Sequence, residues 1–141
     1  MKYHELIHLF FERSNALQWY WTIYAIIIGG LLAYSSFRQR RDLIKTVLVT
    51  VLFSMFAYKN LDAIHDVTVQ RFAVLKLINE SKPSGPQEAD VKRARDVLDP
   101  TLTLATPDYE GALGVRNFHV FCDLLTIATL WWLEYRRKED A

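Results

Sequence analysis

The chain has 141 residues, 51% of them hydrophobic, with 17 basic and 16 acidic side chains and a formal net charge of +1. That length fits about one domain, and the charge balance lacks the clustered Lys and Arg with base-stacking aromatics that a nucleic-acid face needs. The single cysteine, Cys122, excludes an internal disulfide and leaves the redox compartment undetermined. A mean hydropathy near zero hides very apolar spans joined by very polar connectors.

The first fifteen residues read as an amphipathic helix. His4, Glu5, His8 and Glu12 share one face, while Leu6, Ile7, Leu9 and Phe10 lie on the other, so an interfacial helix at 1–15 is expected. Residues 4 to 8 also spell His-Glu-Leu-Ile-His. On a helix, His4 and His8 sit one turn apart and can share a zinc ion, with Glu5 placed to take a proton from its bound water. Over these five residues the chain resembles the signature of zincin metallopeptidases. Phe11-Glu12-Arg13 stands where the longer glycine-containing form of that signature would continue. His65, on the same side of the expected topology, is the candidate third ligand of a zinc or haem site.

The first membrane span runs from Ala16 to Ser36 without a charged residue. Its length is about the ~20 residues that a helix needs to cross a bilayer core of roughly 30 Å. Ala33-Tyr34-Ser35 loosely resembles a cleavage site, but Arg38, Arg40 and Arg41 follow at once and oppose translocation, so the span reads as an anchor. Along it Ala25, Gly29 and Ala33 recur every four residues, a small-residue ridge suited to close helix packing. Packing inside the bundle is the ordinary use of such a ridge, and contact between copies of the chain is the other.

The second span covers residues 43–58, its one charge, Lys45, lying near the end where it can snorkel. The apolar period continues through Leu61, Ile64, Val67, Phe72, Leu75 and Ile78, so the helix should extend to about residue 80. Two prolines and a glycine within residues 81–86 break it. A short helix is expected at 87–98, opening on Glu88 and Asp90 as the helix dipole prefers, then a loop. The third long helix should begin near Tyr109, and its span covers 118–135.

All four tryptophans, Trp19, Trp21, Trp131 and Trp132, fall at expected membrane edges, where an aromatic ring can be apolar at one end and wet at the other. The connector arginines and the tail Arg136, Arg137 and Lys138 should face the cytoplasm. With three crossings, the N-terminus and residues 59–117 then lie outside. That external segment holds eight basic and nine acidic residues and offers no competing bias.

Polar groups inside the spans form the candidate site. Arg116, His119, Asp123, Thr126 and Thr129 follow at intervals of three or four along the third span. An exposed carboxylate at the Asp123 depth would cost roughly 2.5 to 3.5 kcal/mol, so it should face protein, water or a partner. Thr46, Thr50, Ser54, Tyr58 and Asp62 form a stripe at intervals of four on the second. For antiparallel spans, equal depths pair residues whose numbers sum to roughly 178, setting Asp123 near Ser54 or Tyr58 and Arg116 near Asp62. Such a seam either joins the helices or, through Asp123 and His119, holds a proton or an ion.

The expected fold is therefore an all-α integral membrane bundle with three transmembrane helices, an N-terminal amphipathic helix and a partly helical outer cap. A non-enzymatic accessory or self-assembling subunit is the leading expectation, with the bilayer and either a homo-oligomer or a larger membrane protein as partner. A small oligomeric channel or transporter stands second, and a zinc-dependent membrane hydrolase third.

Overall fold

A computed structural model of the chain describes residues 3–80 and 109–137. Its described residues form three long helices and no strand: α1, Tyr3–Phe37; α2, Leu43–Glu80; and α3, Tyr109–Arg136. The outer cap, with its expected helix at 87–98, and Lys138 lie outside the described residues.

Helix α1 departs from the expected pair of an interfacial helix at 1–15 followed by a span. It is one uninterrupted helix of 35 residues. Nothing between Asn15 and Trp19 breaks the backbone, since that stretch has neither proline nor glycine. Its apolar N-terminal face is covered by protein: Leu6 and Phe10 are buried against Val74, Leu75 and Ile78, with Ile7 and Leu9 packed alongside. The Arg71 guanidinium also lies 5.0 Å from the Phe10 ring centroid. The beginning of α1 and the end of α2 thus form the distal end of an antiparallel hairpin.

At the opposite end the hairpin closes through residues 38–42. Asp42 starts α2, where its carboxylate accepts a hydrogen bond from the Lys45 backbone N–H at 3.1 Å, an N-cap that satisfies a free helix-end donor. The Lys45 ammonium, 2.9 Å away, holds the Asp42 carboxyl below the usual carboxylate range. Helix α3 packs against both arms of the hairpin.

The face that α2 buries explains why the three helices stay together along its length. Thr46, Phe53, Ala57, Asn60, Ile64, Val67, Val74 and Ile78 are all buried, and the spacing alternates threes and fours or their sums. This is the interval that keeps a helix turned toward one neighbour. The other faces carry exposed apolar residues, among them Ile44, Leu48, Leu52 and Met55 on α2 and Phe121, Leu124 and Leu125 on α3. Helices α1 and α2 are long and apolar enough to cross a membrane. His119, Asp123 and Glu134 dilute the apolar run of α3, which falls short of the same measure.

Candidate functional site

Two groups of polar side chains are buried where all three helices meet. The first centres on His119, which is wholly inaccessible. Its Nδ1 lies 2.9 Å from Asp123 Oδ2, one turn further along α3. Its Nε2 lies 3.2 Å from the Asn60 amide nitrogen of α2. An amide nitrogen only donates, so Nε2 accepts and Nδ1 carries the proton offered to Asp123. His119 thus links α2 to Asp123 through both ring nitrogens.

Helix α1 completes the group through Tyr24, whose hydroxyl donates to Asp123 Oδ1 at 2.7 Å and lies 3.3 Å from the His119 carbonyl. The Tyr24 and His119 rings overlap, with centroids 4.1 Å apart, and Trp21 lies 5.7 Å from the same imidazole. Each Asp123 oxygen thus has a donor, one from its own helix and one from α1. Satisfying both is what makes a half-buried carboxylate tolerable between helices.

The second group centres on Glu134, also wholly buried. Arg38 and Arg137 both pair with Glu134 Oε2, while Oε1 accepts the Asp42 backbone N–H at 2.6 Å. Both guanidinium groups also bind beyond Glu134. Arg38 also donates to Thr46 Oγ1 at 3.1 Å and to the Arg40 and Asp42 carbonyls, both at 3.2 Å. Arg137 donates to the Arg38 carbonyl at 2.8 Å and to both oxygens of Ser35. One carboxylate on α3 thereby ties down the end of α1, the connector and the start of α2.

The expected seam is only partly assembled. His119 and Asp123 come together, but the expected span-two partners do not reach them. Ser54 bonds back to the Thr50 carbonyl at 2.8 Å, and Tyr58 is 68% exposed. Asp62 lies 3.9 Å from Lys59 instead of meeting Arg116, which lines a shallow cleft with His65 and Thr68. Thr126 and Thr129 bond to carbonyls of their own helix four residues earlier. A stripe at intervals of four drifts about 40° per step around a helix, so Ser54, Tyr58 and Asp62 rotate away from α3.

The small-residue ridge also points elsewhere. Ala25, Gly29 and Ala33 are exposed on the outside of α1, and a Cβ built on Gly29 meets nothing within 4 Å. The inner face of α1 is made instead by Leu6, Phe10, Tyr24 and Ser35. His4, Glu5, His8 and His65 are likewise exposed. Among the described residues, no three His, Cys, Asp or Glu side chains converge as a metal site.

Tyr24, Asn60, Glu134, Arg38 and Arg137 were not among the candidates drawn from sequence. Asn60 had a signal: it is the one amide in the alternating three-and-four track of α2. The arginines stand as a cluster beside a span, a pattern that reports orientation and leaves their partner unstated. No family model, curated protein or solved structure matches the chain. Its chemistry rests on this geometry.

Proposed function

We propose that the chain is a three-span integral membrane protein that serves as a non-enzymatic accessory or self-assembling subunit, with its N-terminus outside and its C-terminus in the cytoplasm. At 1.5 Å per residue, α1 and α2 are about 50 to 60 Å long, against a bilayer core of roughly 30 Å. The buried distal contact of Leu6 and Phe10 with Val74, Leu75 and Ile78 then stands outside the bilayer as a stalk.

The observation that carries the subunit reading is the outward ridge. Ala25, Gly29 and Ala33 leave a flat strip on a lipid-facing surface, and such strips let a second helix backbone approach closely. Cysteine crosslinking in native membranes tests it, on a Cys122→Ser background. Gly29→Cys should form a covalent adduct of two copies or of one copy with a larger partner, whereas Leu52→Cys, on the exposed face of α2, should not. No adduct from either position, or equal adducts from both, would sink the reading.

A small channel or transporter remains a second reading because His119, Asp123, Asn60 and Tyr24 form one continuous hydrogen-bonded chain across the three helices. Such a chain can hold a proton. Proton flux into liposomes containing the wild type should then exceed that with Asp123→Asn. Equal flux with the two proteins removes this reading.

A further inference from the structure

Helix α1 has two faces. One, marked by Leu6, Phe10, Tyr24 and Ser35, is buried inside the bundle. On the other, alternating steps of four and three counted back from Gly29 lead through Ala25, Thr22 and Asn15 to His8 and His4, and every position on that line is exposed. The line carries no charge, because Glu5, Glu12 and Arg13, the charged residues of α1, all fall beside it. Alternating threes and fours average about 3.5 residues, the repeat that keeps two helices in contact as they coil left-handed about each other. The unbroken backbone of α1 therefore carries one seam from the small-residue ridge out to its first turns.

The seam ends on a pair of metal-binding side chains. His4 and His8 stand one helical turn apart, a spacing at which two imidazoles can hold one zinc ion. Among the described residues no third His, Cys, Asp or Glu converges on them. One chain thus offers two of the four ligands that a tetrahedral zinc ion takes. Two copies in one membrane share an orientation, so paired α1 helices run parallel and equal residues stand at equal height. A two-fold axis between them brings both histidine pairs together, since such an interface joins the same patch of each subunit.

We propose that two copies of the chain pair along this seam and bind one zinc ion between them through His4 and His8 of each. Imidazole nitrogen suits zinc, and a half-complete ligand set is completed by its own symmetry copy. A larger protein of other sequence could cover the small-residue ridge, but the seam gives it no reason to supply two further imidazoles at this height. Because the ion is held only by the pair, zinc favours the paired state. The proposal rests on the self-assembly reading above. That reading fails separately, if Gly29→Cys gives no adduct of two copies with or without zinc.

The test uses the full chain without an affinity tag, in neutral detergent, with zinc chloride as the probe and magnesium chloride as the control. Metal analysis after dialysis should find one zinc for every two chains. Sedimentation over a dilution series gives the dimer dissociation constant. With free zinc at about 100 times its own dissociation constant, the dimer constant should fall about 100-fold, and a chelator should restore it. Magnesium, which takes oxygen ligands, should leave it unchanged. His4→Ala and His8→Ala should each abolish the zinc response, whereas His65→Ala, on α2, should keep it. Both seam histidines are exposed, so neither substitution removes a packing contact. One zinc per chain or none, an equal response to magnesium, a dimer constant indifferent to zinc, or a response that survives either seam variant would each overturn the proposal.

Discussion

His119 and Glu134 are both wholly buried on α3, about four turns apart, yet they are surrounded differently. Glu134 meets two guanidinium groups and a backbone N–H. His119 meets an amide, two aromatic rings and a carboxylate. Arginine stays protonated at any ordinary pH, so the Glu134 cluster has a fixed charge and works as a permanent clasp. Among the described residues, the only formal charge in contact with the His119 ring is Asp123, and the ring's two nitrogens can exchange donor and acceptor roles. The same helix therefore carries a centre locked by fixed charge at one end and one adjustable in its hydrogen bonding nearer its middle.

The sharpest way to break this contrast is to remove the locked charge. Glu134→Gln leaves Arg38 and Arg137 facing each other without an anion, and breaking a buried pair in this way costs roughly 3 to 5 kcal/mol. Unfolding in denaturing detergent should shift by that amount, with loss of the contact between the connector and α3. Replacing the set together, as Glu134→Leu with Arg38→Met and Arg137→Met, should recover most of the loss, because the desolvation cost disappears with the charges. Failure of the triple variant to recover would mean that the clasp also fixes the geometry of the connector.

The register of this bundle was more legible in the sequence than its faces. The extent of α2 followed from its apolar period, and the antiparallel depth rule brings Asn60 opposite His119 to within about one residue. The rotation of each helix about its axis is harder to read. A stripe at intervals of four, such as Thr46 to Asp62, looks like one face over two turns and has swung to the far side after four. Thr46 alone stayed on the α3 side, at the Glu134 cluster. Tyr24 was hidden for another reason. It lies near the middle of the uncharged run from 16 to 36, away from the interfacial belt, and nothing in the sequence pairs it with the Asp123 carboxylate, to which it donates at 2.7 Å. The ridge of Ala25, Gly29 and Ala33 had its composition right and its direction undetermined, because small residues allow close approach on either side of a helix.

Removing the amide from the adjustable centre has a smaller expected effect. Asn60→Leu preserves the approximate side-chain volume but leaves His119 Nε2 buried with no donor, a loss worth roughly 1 to 2 kcal/mol. The consequence for the ring is more telling than the loss of stability. With Nε2 accepting from Asn60, the ring proton stays on Nδ1 and is offered to Asp123 at 2.9 Å. The leucine variant removes the donor at Nε2, so the second tautomer, with its proton on Nε2, gains weight. Nitrogen-15 shifts of the His119 ring should then report a mixture of tautomers where the wild type shows one. A single tautomer in both proteins would show that Asn60 only joins helices, and the contrast between the two centres would reduce to one of stability.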